Sequence, residues 1–94
     1  DRADIVRNHI LEGVHSTLMD PSSIREIRGL GLMIGIEPVI RPDNLVAKAL
    51  EKRLLINVAG GDTIRLLPPL VMSSEQAHEA GAIVGQLINS LESN

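Results

Sequence analysis

The residue best placed to do chemistry is Arg65, a lone cation in the apolar run Thr63-Ile-Arg-Leu-Leu67, which Pro68-Pro69 then stops. A guanidinium in an oily strand is expensive to desolvate unless an anion meets it, so Arg65 needs a partner. If 63–67 is extended, Thr63, Arg65 and Leu67 share one face while Ile64 and Leu66 share the other. Two partners fit that geometry. One is an internal salt bridge to Glu37 or Glu26 on a neighbouring strand. The other is a ligand carboxylate or phosphate, which the planar guanidinium can grip with two parallel hydrogen bonds. On the second reading, Pro68-Pro69 fixes the backbone just beyond the grip.

Other chemistry is scarce. His9, His15 and His78 show no i,i+4 pairing and no carboxylate at metal-ligand spacing, so they read as solvent-facing or capping side chains. Lys48 and Lys52, the only lysines, lie one helical turn apart on a polar face. A Schiff-base amine needs desolvation or a neighbouring cation to lower its pKa, and an exposed helical lysine meets neither need. Read on one strand, Glu26 and Glu37 fall on opposite faces, which forbids a working carboxylate pair. The Gly29-Leu-Gly31 spacing is no dinucleotide fingerprint, because the third glycine is absent and the motif sits within a strand. No catalytic or metal-binding set is expected.

Composition narrows the classes further. There is no Phe, Tyr or Trp, so the core must be aliphatic and the stacking platforms of single-strand nucleic acid binders are missing. A net charge of −3 with mixed signs gives no electrostatic footprint for DNA or RNA. Without cysteine there are no disulfides, thiolate metal sites or thiol nucleophiles. No apolar run approaches the ~20 residues that span a bilayer, and no leader pattern opens the chain, so a cytoplasmic setting without membrane contact is expected. The chain starts at Asp1 rather than Met, which suggests processing or excision from something longer.

Periodicity supplies the elements that must position Arg65. Val6, Ile10, Val14 and Leu18 mark a helix over about 2–19, with Ile5 and Leu11 widening its stripe and Gly13 weakening it. Asp20-Pro21 closes that helix. Residues 27–37 read as one strand with Leu30, Leu32, Ile34 and Ile36 on one face. Gly29, Gly31, Met33, Gly35 and Glu37 take the other, where the glycines admit either a close-lying helix or a ligand. A helix over about 43–53 turns Leu45, Val46, Ala49 and Leu50 inward and Lys48, Lys52 and Arg53 outward. Strands over about 54–58 and 63–68 form a hairpin through Gly60-Gly61. Ser73 and Gln76 form a capping box for a last helix with its seam at Ala77, Ala80, Val84, Leu87 and Leu91. The expected architecture is one α+β domain over 1–94, a small, mostly antiparallel three-stranded sheet with helices on one face.

Three segments in order, Ile27-Arg-Gly-Leu-Gly-Leu-Met-Ile-Gly-Ile-Glu37, Ala49-Leu-Glu-Lys-Arg-Leu-Leu-Ile-Asn57 and Gly61-Asp-Thr-Ile-Arg-Leu-Leu-Pro-Pro-Leu-Val71, resemble the carboxy-terminal small domain of class III aminotransferases. Within that class the likeness is to acetylornithine-type enzymes of arginine biosynthesis. It departs at Arg53, where many relatives carry glycine, and in the loop from Pro38 to Pro42. The resemblance implies a pyridoxal-phosphate parent whose cofactor lysine, pyridine-facing aspartate and phosphate loop all lie in a large domain outside this chain. No cofactor is then expected on the chain alone, which would be inactive. It also implies a homodimeric parent acting on acetylornithine and on 2-oxoglutarate or glutamate, with Arg65 binding a substrate carboxylate. A free-standing module that binds small carboxylates is the alternative.

Overall fold

A computed structural model describes residues 2–42, 44–52, 54, 56–69 and 71–91. Helix α1 covers Arg2–Thr17, and a single 3-10 turn follows at Pro21–Ser23. Strands β1 (Ile24–Leu30) and β2 (Met33–Pro38) precede helix α2 (Leu45–Glu51). Strands β3 (Asn57–Ala59) and β4 (Thr63–Leu66) lead into helix α3 (Ser74–Asn89). The fold is α+β, as expected, but the sheet has four strands in the order β1-β2-β4-β3, and every pairing is antiparallel.

The extra strand arises because the apolar run around residues 27–37 folds back on itself. Gly31 takes φ +59°, the backbone that a two-residue hairpin turn reserves for glycine at its first central position. Leu30 then pairs with Met33 and Ile27 with Ile36. A two-residue turn changes which residues share a face. Ile27 and Gly29 now lie with Ile34 and Ile36 toward the core, whereas Arg28 joins Gly35 on the far side. Period-two alternation was right within each arm and wrong across the turn.

Glycine at 29 does meet a close neighbour. A Cβ there would strike the Arg7 side chain, which runs from α1 and donates to the Gly31 carbonyl and to Asp4 Oδ1. Gly35 differs: a Cβ would lie 3.5 Å from Thr63 Cγ2, an ordinary contact, and no helix covers it.

The core lies between the helices and one sheet face. Val6, Ile10 and Val14 of α1 and Ala77, Val84, Leu87 and Ile88 of α3 meet Ile34, Ile36, Ile64 and Leu66 of the sheet. Leu45 and Ala49 of α2 join them. Val46 and Leu50, expected to face inward, stand exposed because a seven-residue helix offers one i,i+4 pair to the core and little more. Ile5 is likewise exposed, at the outer margin of its stripe. Arg53 and Leu55, expected on the α2 polar face and in the following strand, lie outside the described residues.

The two long helices touch backbone to backbone. A Cβ on Gly81 would fall on the Ile10 carbonyl, one on Gly13 on the His78 carbonyl, and one on Gly85 on Thr17 and the Val14 carbonyl. Gly13 therefore does more than weaken α1: its missing side chain admits α3. Thr17 Oγ1 donates to the Ala82 carbonyl at 2.7 Å. Asn89 grips the end of α1, its Nδ2 donating to the Thr17 carbonyl and its Oδ1 accepting from the Met19 amide. The capping box forms in full, with Ser73 and Gln76 each accepting from the other's backbone amide. Asp20 caps the 3-10 turn, and the Ser22 hydroxyl and amide hold its carboxyl below the usual carboxylate range.

Gly81→Ala is expected to lose about 2 kcal/mol of stability, even though alanine gains ~1 kcal/mol in helix propensity, because the helices must separate to admit the methyl group. Thermal unfolding of the chain measures this. An unchanged or raised midpoint would show that the backbone contact does not need glycine.

Candidate carboxylate site on the open sheet face

The sheet face opposite the helices carries the polar residues, and one rung organises them. Arg28 on β1 pairs with Gly35 on β2, Gly35 with Arg65 on β4, and Arg65 with Asn57 on β3. Across four strands the order is guanidinium, gap, guanidinium, amide. The gap at Gly35 leaves a cavity of about 490 Å³ lined by Arg28, Gly29, Met33, Gly35, Ala59, Thr63 and Arg65. Arg65 also borders a neighbouring hollow of about 320 Å³ with Asn57, Met33 and Leu67. Among the described residues it is the one cation that lines both spaces.

Local sequence places Arg65 there. Ile64 and Leu66 are drawn into the core, at 0% and 4% exposure, and period-two geometry then turns residue 65 outward. Gly60 and Gly61, with φ of +63° and +80°, close the β3–β4 turn that pairs Arg65 with Asn57.

Arg65 is exposed, and the Glu37 or Glu26 salt bridge considered from sequence is not made. Its Nη2 instead lies 3.6 Å from Met33 Sδ, a weak thioether acceptor. Among the described residues no carboxylate pairs with it. The carboxylates belong to other arginines. Arg28 Nη1 is 2.7 Å from Glu26 Oε2 and its Nη2 is 4.0 Å from Glu37 Oε1. Arg25 Nε sits 3.6 Å from Glu37 Oε2. Glu26 and Glu37 are thus ladder partners rather than residues on opposite faces of one strand, because the hairpin brings them side by side. Arg28 Nη2 also reaches Thr63 Oγ1 at 3.4 Å, and that hydroxyl donates to Asp62. Sequence reading missed the roles of Arg28 and Arg25. The signal was Gly31, whose turn chemistry places β1 beside β2.

The remaining chemistry-bearing residues do not converge. His9 is 3.9 Å from Glu12, while His15 and His78 are exposed on their helices. Among the described residues no group of His, Cys, Asp or Glu could hold a metal ion. Lys48 and Lys52 are exposed and line neither hollow beside Arg65, so this face presents no desolvated amine to a carbonyl cofactor such as pyridoxal phosphate. Among the described residues no helix is long and apolar enough to cross a membrane.

The family described as Aminotransferase class-III matches residues 1–88. Acetylornithine aminotransferase from Methanothermobacter thermautotrophicus is 36% identical over 91 residues, 97% of this chain and 23% of that protein. Acetylornithine aminotransferase 1 from Bordetella bronchiseptica is 43% identical over 81 residues, 85% of this chain and 20% of that protein. A solved structure of ornithine delta-aminotransferase from Plasmodium falciparum superposes with a TM-score of 0.77 at 28% identity, covering 96% of this chain and 24% of that one. The chain spans about a quarter or less of the length of the proteins it matches.

If the space over Gly35 is kept for a guest rather than for packing, Gly35→Ala should fold without penalty, within about 0.5 kcal/mol of the parent. Thermal unfolding beside Gly81→Ala checks the contrast. A loss as large as that of Gly81→Ala would mean that the gap is structural.

Proposed function

Because the chain belongs to the class-III aminotransferases, we propose that it is the carboxy-terminal small domain of an acetylornithine-type, pyridoxal-phosphate-dependent enzyme, and that Arg65 binds a substrate carboxylate. One observation carries this reading. Arg65 stands on the open sheet face beside a cavity of about 490 Å³, bonded to a thioether and, among the described residues, to no carboxylate, while the nearby glutamates are held by other arginines.

An unpaired guanidinium at a cavity is chemically biased toward a planar anion. A bidentate pair fixes both the position and the plane of a carboxylate, and charge-assisted hydrogen bonds contribute about 1.5–3 kcal/mol each. Holding that end of an amino acid orients the rest of it, which turns a bimolecular encounter into a directed one. The electron-sink chemistry belongs to the cofactor, and the residues that would hold it lie outside this chain. The role of this segment is to bind and orient.

The remainder of the enzyme is a large domain that supplies the cofactor lysine. Relatives four to five times as long as this chain support that division, since the chain covers only 20% to 23% of them. The surface supports it as well. Val46, Leu50, Leu67 and Val71 are large apolar side chains left in solvent, with Val71 90% exposed. Such side chains suit coverage by a partner domain. On this reading the substrates are small amino acids and oxo acids, acetylornithine with 2-oxoglutarate or glutamate, the setting is arginine biosynthesis in the cytoplasm, and the parent is a homodimer.

In the intact enzyme, Arg65→Ala is expected to raise KM for the carboxylate substrate about 10- to 100-fold and to lower kcat, as loss of a charge-assisted grip requires. Arg65→Lys should also be damaged, because a single ammonium cannot reproduce the fork. Steady-state kinetics decide the matter, and unchanged constants in Arg65→Ala would reject the clamp.

A further inference from the structure

Arg65 has two diagonal neighbours on β2, because Gly35 is its ladder partner. One is Met33, whose sulfur it contacts at 3.6 Å, and the other is Glu37. Diagonal neighbours on one sheet face lie ~7–8 Å apart, within reach of a long side chain. A carboxylate is a far better partner for a guanidinium than a thioether, so the choice of Met33 needs a reason.

The reason lies on β1. Glu37 is the least exposed carboxylate of this face, with its side chain at 17%, and it is already occupied on two sides. Arg25 Nε is 3.6 Å from one oxygen and Arg28 Nη2 is 4.0 Å from the other. Arg28 is itself fixed, by Glu26 at 2.7 Å and by Thr63 Oγ1 at 3.4 Å. Thr63 is 8% exposed and anchors that contact from the same strand as Arg65. The anchored guanidinium thus meets the carboxylate that lies diagonal to Arg65.

We propose that Arg28, assisted by Arg25, is a positioning residue that keeps Glu37 occupied and so leaves Arg65 free for the carboxylate of a small amino or oxo acid. The inference rests on the reading of Arg65 as the substrate clamp. Without Arg28, the half-buried Glu37 keeps only the more exposed Arg25, and Arg65, diagonal to it across the ladder, pairs with no carboxylate among the described residues. A half-buried carboxylate that loses a partner recruits another. Arg65 would then swing from Met33 to Glu37, and any incoming carboxylate would have to displace it.

The test uses the intact aminotransferase that carries this segment, with 2-oxoglutarate as the varied substrate. Arg28→Met is expected to raise its KM about tenfold with kcat within about threefold of wild type, the pattern of lost ground-state binding. Arg28→Met combined with Glu37→Gln is expected to bring KM back to within about threefold of wild type, because the competing carboxylate is gone. A raised KM that Glu37→Gln does not restore would assign Arg28 to the fold or to direct contact, and would overturn the proposal. Unchanged KM in Arg28→Met beside a raised KM in Arg65→Ala would overturn it while leaving the clamp standing. Unchanged KM in both variants removes clamp and proposal together. Should Arg28→Met not fold, Arg25→Met at a side chain 63% exposed carries the same test. A rise of about threefold that Glu37→Gln reverses is then expected, and no rise overturns the idea.

Discussion

The contact between α1 and α3 is the constraint on which the rest of the structure depends. In the absence of aromatic side chains, close approach substitutes for bulk. Gly13, Gly81 and Gly85 let the two helix backbones meet, and dispersion between closely packed atoms then accumulates along the crossing. Thr17 and Asn89 fix its register through hydrogen bonds between the helices. The paired helices present one aliphatic surface made of Val6, Ile10, Val14, Val84, Leu87 and Ile88. The sheet rests Ile34, Ile36, Ile64 and Leu66 on that surface. Every side chain of the opposite face inherits its direction from this seating.

The polar face therefore results from core packing rather than from a separate local design. Because Ile64 and Leu66 must go in, Arg65 must come out. Because Ile34 and Ile36 must go in, Gly35 and Glu37 occupy the same outer face. What distinguishes the cations there is how their charge is spent. Arg25 and Arg28 are neutralised within the sheet, whereas the Arg65 guanidinium pairs with no carboxylate among the described residues and reaches the Met33 sulfur. Surface ion pairs of this kind contribute little to stability, ~0–1 kcal/mol each. Their effect on which groups remain unpaired is the larger one.

Much of this was legible in the sequence. The four-residue recurrence of Val6, Ile10 and Val14 gave α1, Ser73 and Gln76 gave the start of α3, and Gly60-Gly61 gave the β3–β4 hairpin. Alternation in Thr63-Ile-Arg-Leu placed Arg65 on the outer face. The β1–β2 hairpin was masked, its single signal being Gly31, for a physical reason. A two-residue turn through Gly31-Leu32 carries no proline or asparagine, and the apolar residues around it continue to alternate, so periodicity runs through the bend unchanged. That miss hid the pairing of Glu26 with Glu37 and the reach of Arg28 across Gly35 toward Thr63. The glycines of the helices were a second blind spot. Composition shows them as weak helix formers, and only the crossing shows what they admit.

The strand order β1-β2-β4-β3 leaves two borders of the sheet without a neighbour among the described residues. A border with free amides and carbonyls invites a stray strand from another molecule, a hazard that proteins meet with charge, bulges and brevity. Both borders show such devices. β1 carries Arg25, Glu26 and Arg28 and a register irregularity near its start, and β3 is three residues long. The arginines and glutamates that divide charge on the outer face thus also discourage fibrillar stacking, so a change at β1 alters colloidal behaviour as well as ligand contacts.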